Sequence, residues 1–293
     1  MHPAPSVIIF TVFSGLGFGF LAFLAIGMPQ VSGVHGFLSW AIGYAFAVIG
    51  LLASTFHLAN PQRAWRAFSQ WRSSWLSREG CMAVATLILL APQAVSDIFG
   101  WGLPRIYGGF AALLCLITVF CTAMIYRQLR SVPRWHHPQT IVLFVTFMVA
   151  GGALMAGQRW IAICACVDLA LALTFAFRIG DGLFAKAGSS LGSATGLERI
   201  GQPQVFEQPH TGGNYLMQEM IYVVGRKHAQ KLRVISVVFA AILPALIFAL
   251  LLPYAKHSAL MLAMLSHLLG AFAARWLFFA EAEHVVGLYY GMR

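Results

Sequence analysis

Charge is what this sequence has least of. Only 10% of its 293 residues are Asp, Glu, Lys or Arg, 59% are hydrophobic, and the mean hydropathy is +0.77. So small a polar fraction cannot cover the surface of a soluble domain of this length, which excludes an ordinary soluble fold. Cysteine is scarce and badly spaced for chemistry: Cys81, Cys115, Cys121, Cys164 and Cys166 all lie in apolar runs, with no C-x-x-C pair and no iron–sulfur spacing. Cys164 and Cys166 point to different faces of a helix, so a shared metal is excluded as well. Ten-residue segments of alternating polarity are missing, which excludes a transmembrane β-barrel. Met1 to Ser6 carries no Lys or Arg. The first apolar run therefore reads as a retained span rather than a cleavable signal peptide.

Long apolar runs are what the sequence does have. They recur near 6–29, 36–58, 80–100, 108–126, 140–158, 160–178, 234–254 and 257–280, each close to the ~20 residues that a helix needs to cross about 30 Å of hydrocarbon. The expected fold is an all-α integral membrane protein, a bundle of eight transmembrane helices with short interfacial helices. It forms one membrane domain over 1–293, with a loop at 179–233. Successive helices alternate sides, so both termini and loops 2–3, 4–5 and 6–7 share one side. That side holds nearly all the Lys and Arg, from Arg63 to Arg293, whereas the other holds only Arg105, Arg159 and Lys256. The positive-inside rule places the basic side in the cytoplasm of a bacterial inner membrane, termini included. The formal charge of +10 thus reflects orientation and contact with lipid or a partner, and no nucleic-acid role is assigned.

Two loops stand out. Loop 2–3 spaces Trp65, Phe68, Trp71 and Trp75 at three to four residues, with Arg63 and Arg66 on other faces, as in a short amphipathic helix at the interface. An aromatic belt with arginines at the headgroups fits the same residues. Loop 6–7 opens on a Gly/Ser-rich linker at 187–193 and then offers a second helix over Asn214 to Arg233, with an Asn cap and a basic last turn. His57 closes span 2 and Glu79 opens span 3, around this first loop. Histidine, with an unperturbed pKa of about 6.5, can bond a quinone oxygen and exchange its proton near neutrality. A carboxylate beside it could relay that proton. The residues alone equally fit a histidine bonded to a carbonyl and a glutamate favouring a helix amino terminus.

His57-Leu58-Ala59-Asn60-Pro61-Gln62-Arg63-Ala64-Trp65 and Ser74-Trp75-Leu76-Ser77-Arg78-Glu79 resemble the H-L-x-x-P-x-R-A-aromatic and S-x-L-S-x-E pattern of the DmsC family. That family comprises the membrane anchor subunits of dimethyl sulfoxide reductase-type molybdoenzymes. Ile9 to Phe13, Val132-Pro133-Arg134-Trp135, and Arg275 followed by Phe278-Phe279 extend the resemblance along the chain. It implies a quinone-binding, electron-transferring subunit without haem or metal of its own. Its partners would be an iron–sulfur subunit and a molybdopterin catalytic subunit. His57 and Glu79 take on quinone binding and proton transfer, with Arg63 and Arg275 beside them. Arg66, Arg72, Arg78, Arg127, Arg130 and Arg134 form the docking face for the partner.

The cytoplasmic placement and the segment Gln208 to Leu216 look like the SoeC branch, anchors of cytoplasm-facing sulfite dehydrogenases, which implies electron flow from sulfite to quinone. A quinol-oxidising reductase anchor is the alternative within the family. A secondary transporter using Asp168 and Arg275 is the alternative outside it; it calls for inverted repeats, and none is seen. Arg275 lies deep in span 8 and calls for a partner, with Asp168, Glu281 and Glu283 as the acids in reach. His267, mid-span, reads as a helix–helix hydrogen bond rather than a ligand.

Overall fold

The computed structural model describes residues 1–56, 60–207, 211–221 and 228–291, and in these the chain is helical, with no strand. The principal helices are α1 (Pro5–Ala25), α2 (Gly33–Thr55), α3 (Trp75–Phe99), α4 (Arg105–Arg127), α5 (Gln139–Met155), α6 (Arg159–Lys186) and α11 (Lys256–Ala280). Short helices α7 (Leu191–Thr195) and α8 (Tyr215–Met220) lie in the long connection after α6. Helices α9 (Ala229–Val237) and α10 (Leu243–Leu250) are joined through a π-helical turn, Val238–Ile242, into one rod. Seven helices among the described residues are long and apolar enough to cross a membrane, counting that rod as one. The remaining apolar helix, α5, has 17 residues, about 26 Å at the usual rise. The expectation of eight crossings therefore meets seven that satisfy the length of a span and one that falls short of it.

Helix α1 is the centre of the bundle, its apolar side chains buried over most of its length, from Ile8 to Ala25. Small residues let its neighbours reach it. A Cβ at Gly17 would collide with the backbone of Ala47 in α2, and one at Gly152 in α5 with the backbone of Gly19. With no hydrophobic driving force between helices in lipid, such close backbone approach is what dispersion packing requires. The π turn has a local cause of the same kind. Gly270 of α11 presses on the Ala240 backbone, and two side chains of α11 donate to carbonyls in the turn: Ser266 Oγ to Phe239 O at 2.8 Å and His267 Nδ1 to Ala240 O at 2.7 Å. His267 is thus a helix–helix hydrogen bond, consistent with its mid-span position.

The segment after α2 is a 3-10 helix, Pro61–Phe68, not a full amphipathic α-helix. Helix α6 runs to Lys186, 28 residues in all, so its last two turns carry Asp181 and Lys186 past the expected loop boundary at 179. Asn214 caps α8, its side chain accepting from Met217 N at 2.9 Å, and that helix stops at Met220. Arg226 and Lys227, expected in the basic last turn of this segment, lie outside the described residues, as does Arg293.

Candidate functional site

Four segments converge on the basic face through one ion-pair cluster. Arg134, between α4 and α5, pairs with Glu281 at the end of α11 at 2.5 Å and with Asp181 of α6 at 3.2 Å. Arg233 of α9 pairs with the same two acids, at 2.6 Å to Glu281 and 2.5 Å to Asp181. The cluster fixes these helix ends on one face of the bundle. Arg134, with its side chain 15% exposed, is engaged by both acids. Glu281, already shared by two arginines, is not the partner of Arg275.

Glu79 sits just past the first turn of α3, with 5% of its surface exposed. Its carboxyl lies beside Thr122 of α4, with Cys121 and Tyr126 close enough to feel its charge. One oxygen, Oε1, has no hydrogen-bond partner among the described residues. A buried acceptor left in that state is rare and marks a place where a proton, a water or a ligand completes the bonding. The Arg/Trp loop lies over this end of α3. Arg78 Nε donates to Trp71 O at 2.9 Å and Arg78 Nη2 to Arg72 O at 2.6 Å, and its guanidinium covers the Trp75 ring at 4.3 Å. Arg78 therefore ties the loop to α3. Arg63, Arg66, Arg72 and Arg130 are exposed and Arg127 half-buried, while Trp65 and Trp71 present 65% and 55% of their surface. Such an exposed basic and aromatic surface beside a buried acid is able to meet another protein or the headgroups. His57 lies outside the described residues, just before this loop.

Arg275 is 3% exposed and makes no ion pair among the described residues. Its guanidinium lies against aromatic faces, 3.7 Å from the Phe144 ring and 4.9 Å from that of Phe147. The π faces supply partial negative charge where no carboxylate does. Asp168, the acid expected to meet it, is exposed on the outer side of α6. Arg275 closes the inner end of a cleft between α5, α6 and α11, whose wall includes Leu143, Leu173 and Phe177 and whose mouth includes His137, Gln139 and Arg134. Burial, then Lys186 and Arg127, hold the His137 imidazole below its ordinary range.

Glu79 and Arg275 do not share this cleft. Tyr126 stands between them, within electrostatic reach of both and packed on Phe144 and Phe278. Sequence reasoning passed over Thr122 and Tyr126. Their signal was the recurrence of Thr118, Thr122 and Tyr126 every fourth residue along one face of span 4.

No group of three or more metal-ligating side chains occurs among the described residues. Residues 1–292 match the family described as DMSO reductase anchor subunit (DmsC). A relative from Allochromatium vinosum, one of the subunits of a sulfite dehydrogenase, is 31% identical over 99% of this chain and 99% of its own length. No solved structure matches. A family match from the first residue to the penultimate one, joined to a helical membrane bundle with a buried acid under a basic loop, places this chain in the DmsC family of membrane anchor subunits.

Proposed function

We propose that this protein is the quinone-reactive anchor of a molybdenum and iron–sulfur oxidoreductase, passing electrons from sulfite to the quinone pool. The observation that carries the reading is Glu79: an almost fully buried carboxyl with one oxygen unpartnered among the described residues, at the membrane end of a helix beneath a basic, aromatic loop. Helix α5 is the eighth crossing. Its 17 residues are shorter than a usual span, and the flanking turns at His136–Pro138 and Ala156–Gln158 complete the passage.

The basic face is cytoplasmic, as are both termini. An iron–sulfur subunit docks there on Arg66, Arg72, Arg127 and Arg130, and a molybdopterin subunit beyond it oxidises sulfite. This chain binds the quinone, ubiquinone or menaquinone, and handles its protons. His57 donates a hydrogen bond to one ring oxygen and Glu79 supplies the proton. Arg63 lies at the mouth, and Arg275, past Tyr126, adds positive potential and hydrogen-bond donors on the inner side. The likeness to a sulfite dehydrogenase protein over the whole chain supports the choice of donor, and the charge asymmetry supports the side.

Replacing Glu79 by Gln keeps size and polarity and removes the exchangeable acid. The expected result is loss of quinone-linked turnover by at least about two orders of magnitude, within the range for general acid–base catalysis. Assembly with the partner subunits and sulfite oxidation by a water-soluble acceptor stay intact. Full quinone turnover in that variant overturns the assignment.

A further inference from the structure

Helix α3 carries a second pattern below Glu79. Glu79, Thr86 and Gln93 follow at seven-residue steps, two helical turns each, so they lie on one face about 10 Å apart along the axis. All three are buried, at 5%, 0% and 0% exposure, and Asp97, one turn further, is 8% exposed. Neighbouring helices add hydroxyls to the same column. Thr122 lies beside Glu79, and Thr118 Oγ1 is 3.0 Å from Thr86 Oγ1. In the next interval Tyr44 of α2 donates to Leu87 O at 2.8 Å and Tyr107 of α4 donates to Leu89 O at 2.7 Å. Pro92 follows inside the helix. Having no N–H, it leaves the Ile88 carbonyl without its intrahelical bond, on the outer face of the helix, where Ile88 is exposed. Gln93 Nε2 then donates to Asp97 Oδ1 at 3.0 Å, and Asp97 pairs at 3.1 Å with Arg105, whose side chain is 44% exposed at the face opposite the basic one.

Interhelical polar pairing accounts for the Thr86–Thr118 contact and for the two tyrosines. It does not account for acceptors left over at both ends. Among the described residues, Glu79 Oε1 and Gln93 Oε1 are buried without a donor, and Trp40 Nε1, one turn of α2 before Tyr44, is a buried donor without an acceptor. Buried groups of this kind are completed by water, which forms two to four bonds where polar partners surround it. A column of hydroxyls, carbonyls and amide groups with open positions at its ends is what a relay of protons through water and hydroxyl groups requires. Each hydroxyl accepts one proton as it releases another.

We propose that this column is a transmembrane proton path joining Glu79 to the face of Asp97 and Arg105. The proposal rests on the quinone reading above. When the quinone is reduced, two electrons arrive from the iron–sulfur partner and two O–H bonds form on the ring; Glu79 gives up two protons in succession, one to each ring oxygen, and is reprotonated after each through the column from the opposite face. Quinol oxidation runs the same path outward. Charge then crosses the membrane with each turnover.

The test uses the purified complex of all three subunits in liposomes with a pH-reporting dye inside, potassium and valinomycin to dissipate potential, and sulfite added outside. Only complexes with the catalytic subunit outward turn over, so the lumen samples the Asp97 face. The wild type is expected to make the lumen alkaline in proportion to quinone reduced. Thr86→Val and Gln93→Leu should each lower the lumenal protons taken up per quinone at least tenfold, and Thr86→Ser should retain them. Turnover by the wild type with no lumenal change overturns the proposal, as does an unaltered proton ratio in Thr86→Val and Gln93→Leu. Neither result touches the quinone reading, which has its own tests in quinone reduction by Glu79→Gln and His57→Phe.

Discussion

Keeping a carboxyl 5% exposed, with one oxygen unpartnered among the described residues, costs free energy, as does keeping a guanidinium inside a span against aromatic faces. On the insertion scale a charge at mid-helix costs about 2.5–3.5 kcal/mol. The two residues make opposite demands on a mutation. Arg275→Met retains the length and apolar stem, and no carboxylate is left stranded because none was paired. The expected thermal midpoint is therefore equal to or above that of the wild type, while quinone-linked turnover falls about tenfold or more; a midpoint lower by several degrees would show instead that the guanidinium holds the bundle together. Glu79 was legible in the sequence because its charge is so isolated at a span end. The aromatic housing of Arg275 was not: Phe144 and Phe147 are more than a hundred residues away, and an arginine among apolar residues calls first for an acid.

Among elements, α11 and the π turn opposite it show where local sequence runs out. Span 7 reads as one apolar run, and nothing in its composition marks a π turn. The cause lies on another helix, in Gly270, Ser266 and His267. A Cβ at position 270 would meet backbone atoms of Phe239 and Ala240, which cannot swing aside as a side chain can. Gly270→Ala should thus destabilise the protein by about 1–3 kcal/mol, the usual cost of overpacking. Gly109→Ala, where a Cβ meets nothing within 4 Å, should be neutral or stabilising by up to about 1 kcal/mol through helix propensity. Thermal unfolding of the two variants in one detergent checks the contrast; equal midpoints would contradict the packing account. The extension of α6 to Lys186 was hidden for a related reason. Its last turns carry Asp181 and Lys186, which read as loop until Asp181 is seen between two arginines from other segments.

At the scale of the whole molecule, the apolar runs fix the helical membrane class, and the distribution of Lys and Arg gives the two faces different characters. What the sequence could not show is how the basic face is held. Arg134, Asp181, Arg233 and Glu281 join four segments that are distant in the chain. Removing Glu281 leaves two arginines to share the half-exposed Asp181, so Glu281→Gln should cost about 1–3 kcal/mol, the range for leaving a buried group without its partner, and should loosen α9 as measured by amide exchange. Unchanged protection of α9 would contradict that role. The functional reading as a whole turns on His57 and Glu79 forming the place where electrons meet quinone. The most direct measurement is sulfite-driven quinone reduction by the purified complex carrying His57→Phe. The expected result is an assembled complex that still oxidises sulfite with a water-soluble acceptor and no longer reduces quinone. Quinone reduction at the wild-type rate would contradict it.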